Sequence, residues 1–242
     1  MRKLTVLLLL IQFTIACLGQ EKINTVVSDK TKINLIETLS LKSQFLDTLF
    51  YSGRVYFSDG KSNIAQMNYS LLDNGIYFLD KQKRLLKMVG LDKIKNISYS
   101  KRFFYVINNE FYEQLFTSQN YSLLLKRKSV IKNNDEAKGP YGISLETSST
   151  SSYSSISESY GKGTTLGENY NKPDKINVDI TLNKYYYILY NDKLTGIYKV
   201  RDLMKIFPAK KDSIKAYMND NKIDISNEQD FIRLVSFCVN GK

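Results

Sequence analysis

From Gly53 to Ile131 the chain is a run of short segments in which apolar and polar residues alternate, broken at Asp59-Gly60, Asp73-Asn74-Gly75 and Asn108-Asn109. Alternation with a period of two sends successive side chains to opposite faces of a strand, and the breaking residues tolerate turn conformations. The stretch therefore predicts an antiparallel β-meander. Its strands are expected at 54–57, 64–72, 76–79, 84–89, 95–99, 103–107, 111–116 and 121–131. Asn74-Gly75 accepts the positive φ values of a type I′ turn and gives the strongest hairpin signal. Strands spaced by about 8–12 residues suit a sandwich, a barrel or one curved sheet.

The flanks carry other patterns. Residues 20–50 are ambiguous: Leu35, Leu39, Leu46 and Leu49 approach helical spacing, whereas Leu39-Ser40-Leu41 alternates like a strand. Residues 132–175 turn polar, and the Ser/Thr run from Thr147 to Ser159 leads into Gly161, Gly163 and Gly167. So few apolar groups cannot offset the entropy of ordering, which predicts a loop or linker. A β-hairpin is expected over 176–200, turning at Asn191-Asp192-Lys193. Helices are expected over 201–242, where Pro208 suits the first turn of one helix. Ser226 to Gln229 reads as a capping box, and Phe231, Leu234, Val235 and Cys238 form an apolar stripe at helical spacing. The predicted class is α+β, mainly β: an antiparallel meander, as a curved sheet or small sandwich, with a C-terminal cap of two to three helices over residues 51–131 and 176–200.

Residues 1–19 read as an export signal, with Arg2 and Lys3 before an apolar run from Leu4 to Leu18. That run is shorter than the roughly 20 residues a membrane-spanning helix needs. Cys17 and Gly19 are small residues at the −3 and −1 positions, so cleavage is expected after Gly19, leaving Gln20 first. Thr14-Ile15-Ala16-Cys17 half-matches a lipobox, with Thr14 where Leu, Val or Ile is wanted. Membrane association is thus expected only if Cys17 is lipidated. The chain is expected to be secreted or periplasmic, with outer-membrane association as a further option.

Composition bounds the chemistry. The chain holds no histidine, which excludes Ser-His-Asp and Cys-His nucleophile systems, His-containing zinc sites and His general bases. Beyond the signal one cysteine remains, Cys238, so neither an internal disulfide nor a cysteine zinc site can form. No cofactor is expected. Gly161-Lys162-Gly163-Thr164-Thr165 lacks the first glycine of a phosphate cradle and sits in a Ser/Thr loop.

The net charge is +11, and +9 once Arg2 and Lys3 are removed with the signal. Most of it is lysine, whereas phosphate-reading surfaces favour arginine. Lys126-Arg127-Lys128 beside Arg102-Phe103-Phe104-Tyr105 resembles a single-strand nucleic-acid surface. Export makes that partner a poor fit, and lysine on an exposed strand edge discourages aggregation. No nucleic acid is expected.

Two candidate surfaces remain. Tyr185-Tyr186-Tyr187 places its outer two rings on one face and Tyr186 on the other, giving either packing on both faces or a stacking platform. Carboxylate chemistry would need a pair of acids. Glu110 and Glu113 are three apart, hence on opposite faces of a regular strand, and Asp59 and Asp73 sit in turns.

The sequence around Gly19-Gln20, together with Phe57-Ser58-Asp59-Gly60, Met67-Asn68-Tyr69-Ser70, Tyr141-Gly142 before the Ser/Thr tract and Leu203 to Pro208, resembles exported β-rich proteins of Bacteroidetes-type bacteria. That group has no assigned activity, so the resemblance implies location and shape and no catalytic residue. The expectation is an exported cell-envelope protein, a non-catalytic binding or structural module whose partner is an envelope protein or glycan. The alternative is a carboxylate-based, glycosidase-like envelope hydrolase.

Overall fold

Eleven antiparallel strands form one sheet in a computed structural model that describes residues 20–27, 44–133 and 176–241. They are β1 (Gln20–Val27), β2 (Tyr51–Phe57), β3 (Ser62–Tyr69), β4 (Ile76–Leu79), β5 (Leu85–Lys87), β6 (Ile94–Tyr99), β7 (Arg102–Ile107), β8 (Glu110–Ser118), β9 (Tyr121–Asn133), β10 (Ile176–Tyr190) and β11 (Lys193–Ile197). The spatial order is β1-β10-β9-β8-β7-β6-β2-β3-β4-β5. β10 is long enough to share its free edge, with β1 along Ile176–Asn183 and β11 along Tyr186–Tyr190. The predicted meander is present, as an open sheet. Gln20 opens an edge strand, so part of the ambiguous 20–50 segment is β. Cys17, Gly19 and the Ser/Thr/Gly-rich tract from residue 134 onward lie outside the described residues, and residues 132–133 belong to β9.

The turns correct one expectation. A type I′ turn needs positive φ at both central residues. Asn108 (φ 51°) with Asn109 (60°), and Asn191 (46°) with Asp192 (60°), meet that requirement between β7 and β8 and between β10 and β11. Asn74-Gly75 does not, because only Asn74 takes a positive φ there. β3 ends at Tyr69, short of the expected Leu72, and the chain bridges to β4 with Ser70 N–H donating to the Gly75 carbonyl at 2.7 Å. Leu71 and Leu72 leave the strand to enter the core.

The sheet curls on itself. β9 and β3 are five strands apart in the order, which in a flat sheet means about 24 Å at the usual strand spacing. Yet the Arg127 guanidinium of β9 lies over the Tyr69 ring of β3, 5.9 Å from its centroid, and Ser129 Oγ donates to the Leu72 carbonyl. Register shifts between Tyr56 and Phe57 and between Gln114 and Phe116 add the local bends that favour such curvature. Gly53 admits a close crossing, since a Cβ there would stand 2.4 Å from Tyr99 Cβ.

Curling gives the sheet a dry inner face and an outer face. Register pairs trace one inner row across seven strands, Val55, Ile97, Phe104, Glu113, Leu125, Tyr186 and Ile197, and each is at most 5% exposed. One end of this face packs Met67, Tyr69, Leu72, Ile76, Tyr99, Ile180 and Leu182 against itself. The other end is covered by α1 (Val200–Ile206), α2 (Lys211–Asp220) and α3 (Glu228–Asn240) through Leu203, Ile214, Phe231, Leu234 and Val235. The apolar stripe read from the sequence is buried in full. Cys238 is part of it, and burial pushes its thiol up to about 11 against the opposing charge of Lys210.

Candidate functional site

The outer face is built by the same registers, one residue out of step with the inner one. The strand registers pair Tyr56 with Asn96, Asn96 with Tyr105 and Tyr105 with Tyr112 across β2, β6, β7 and β8, and Lys126 with Tyr185 across β9 and β10. Lys126 Nζ stands over the Tyr112 ring at 5.9 Å and joins the two halves into one row. A second row runs beside it through Ser98 and Phe103, then Leu124, Tyr187 and Gly196. Phe103 meets Tyr105 edge-on at 5.1 Å, and Tyr112 meets Tyr187 edge-on at 5.2 Å. Those last two rings come from β8 and β10 and close over β9, which is why Leu124 is fully buried on this face.

The structure therefore divides the tyrosine triplet. Tyr185 and Tyr187 are half-buried on the outer face, while Tyr186 is 2% exposed and packs on Phe231 of α3 at 4.7 Å. Tyr186 drops out of the candidate surface. Tyr56, Phe103 and Tyr105 join it, and Tyr198 follows with its ring lying over Gly196, whereas Tyr112 is buried beneath this face, in contact with Tyr187 and Lys126. Only the register could have recruited them, since no local signal in the sequence groups residues from β2, β7 and the segment after β11.

Local electrostatics on this face are mixed. Glu110 Oε1 accepts from Lys126 at 2.6 Å, and the Tyr112 hydroxyl donates to Glu110 Oε2 at 3.1 Å. Burial, then the Glu110 charge, holds the Tyr112 hydroxyl well above its ordinary value. Burial likewise raises Tyr187, with Tyr198 and Glu110 adding to it. Both phenols are therefore neutral hydrogen-bonding groups at physiological pH.

The carboxylates that the alternative hydrolase reading would draw on are engaged in ion pairs. Glu110 and Glu113 fall on opposite faces, as their spacing predicts. Glu113 is buried between two guanidiniums: Arg102 Nη1 donates to it at 2.5 Å and Arg127 Nη1 pairs with its other oxygen. Arg102 also makes a two-pronged contact with Asp47 at 3.2 and 3.3 Å. Arg127 stands directly across from Lys184, and like charges so placed repel. Glu113 neutralises the first and Glu228 the second, the latter at 3.2 Å. These ions mark the seam between the two halves of the core. Asp59 lies in an exposed turn with Lys61, and Asp73 is paired with Lys87 at 2.8 Å.

Of the basic residues in the Lys126-Arg127-Lys128 and Arg102 cluster, Arg102 and Arg127 point inward into ion pairs, Lys126 is paired with Glu110, and Lys128 stays exposed. β9 is also a central strand, so its lysines guard no edge. Among the described residues no three His, Cys, Asp or Glu side chains are grouped as metal ligands, and no helix is long and apolar enough to cross a membrane. A shallow pocket of about 400 Å³ opens beside the Asn108-Asn109 turn, and its ionisable lining is Asp92 and Lys95, one charge of each sign.

Comparison with protein-family models, with curated proteins and with solved structures finds no match to this chain.

Proposed function

We propose that this is an exported cell-envelope protein that acts by binding, without catalysis, and that its contact surface is the tyrosine-bearing outer face of the sheet. The observation that carries this reading is the outer row itself. Half-exposed aromatic rings on several adjacent strands cost solvation without filling the core, and a rigid sheet presents them with little entropy left to lose on contact. The leader-like residues 1–19 support export to the periplasm or beyond, and an envelope protein or glycan is the partner class in reach there. Lipidation of Cys17 would add a membrane tether.

The competing hydrolase reading needs two inward carboxyl groups free to exchange protons. Glu113, clamped by Arg102 and Arg127, supports ion pairing instead. The test is cosedimentation of the protein with envelopes isolated from the native host. Binding should be lost in a Tyr185→Ser/Tyr187→Ser variant whose thermal unfolding matches the parent. Equal sedimentation of the two proteins would refute the proposed surface.

A further inference from the structure

Resting on that reading, we infer that the ligand of the outer face is an extended, sparsely charged acidic polysaccharide laid across the strands. Three features of the row select this chemistry. First, Tyr56, Tyr105 and Tyr185 are distributed over five strand steps of the curled sheet's outer face, with Phe103 edge-on beside Tyr105. They form a curved track that crosses the strands, and rings along it match the C–H faces of successive pyranose units.

Second, neutral hydrogen-bonding side chains stand among the rings, and the charged member of the row, Lys126, is offset by Glu110. Asn96 sits within the row and Ser98 beside it, both half-exposed. An amide and a hydroxyl can donate to and accept from sugar hydroxyls alike. A protein partner of the same area would call for an apolar centre, whereas here Asn96, Ser98 and the Lys126–Glu110 pair are interspersed with the rings.

Third, the charge is complementary to acids spaced along a chain. Arg54 flanks one end of the track and Lys128 the other, four strands away. Both are exposed, and neither has a carboxylate partner among the described residues. Lys126 and Glu110 between them cancel. Two well-separated cations on a chain of net charge +9 after removal of Arg2 and Lys3 with the signal favour an occasional uronate or similar acid over a neutral glycan. They are too few for the one-phosphate-per-unit backbone of a nucleic acid.

The probe is xanthan, a polysaccharide whose uronates are separated by neutral sugars, tested by affinity electrophoresis of the protein purified from cells expressing the full chain, with dextran as the neutral control. Retardation by xanthan and none by dextran is expected. Tyr105→Ser/Tyr185→Ser leaves the net charge unchanged and should weaken xanthan binding about tenfold or more. The exposed Lys128→Gln, which disturbs no packing, should weaken it too and flatten its salt dependence. Retardation that the tyrosine variant does not alter would overturn the inference, because net charge alone would then explain it. So would equal retardation by dextran, or none by either polymer. If tyrosine-dependent envelope binding survives that last result, the binding face stands and only the ligand class falls.

Discussion

Glu113 is buried in the inner row with Phe104, Leu125 and Tyr186, where Arg102 and Arg127 reach it from separate strands and Arg102 extends on to Asp47. A buried ion pair that loses one partner leaves a buried charge uncompensated, at a cost of about 3–5 kcal/mol. Glu113→Gln leaves the buried Arg127 guanidinium without its carboxylate, while Arg102 keeps Asp47, so urea unfolding should report a loss of that order. A midpoint within error of the parent would show that the cluster does not stabilise the fold. Spacing put Glu113 and Glu110 on opposite faces, but nothing local showed which distant segments would surround Glu113, and the same limit of local reading applied to Tyr185-Tyr186-Tyr187. Alternation was legible from three letters; which side faced inward was decided by strands far away in sequence.

Helix α3 was the most legible element, because its signal is local. Phe231, Leu234, Val235 and Cys238 recur at helical spacing, and all four are fully buried or nearly so. Its start was off by one residue. Ser226 looked like the cap of a capping box with Gln229, but Asn227 is the cap, its side chain accepting from the backbone N–H of Gln229 at 2.9 Å and of Asp230 at 3.1 Å. Ser226 instead donates to Asp224. Replacing Asn227 with Ala should therefore cost about 1 kcal/mol, whereas Ser226→Ala should cost clearly less. Chemical denaturation of both variants decides it, and the reverse ranking would contradict the assignment. Strands were found with ends shifted by a few residues, for a related reason. Leu71 and Leu72 continued an apolar run, and nothing local told that they enter the core from a loop.

At the scale of the whole molecule, the sequence carried the class and left the shape open. Ten of the eleven strands, most turn positions and the helical cap follow from period and punctuation, whereas β1 lies in a segment left open between helix and strand. The curl does not, because it sums small twists over many strands and closes only through contacts such as Arg127 with Tyr69 and Ser129 with Leu72. That curl seals one face of the sheet, and among the described residues the other, lined with tyrosine, stays partly exposed. Hydroxyl-radical footprinting of the tyrosines, with and without isolated envelopes, tests this most directly. The account predicts that Tyr105 and Tyr185 are modified in the free protein and protected by envelopes, while Tyr186 resists in both. Modification of Tyr186 as readily as its neighbours, or no protection of Tyr105 and Tyr185, would contradict it.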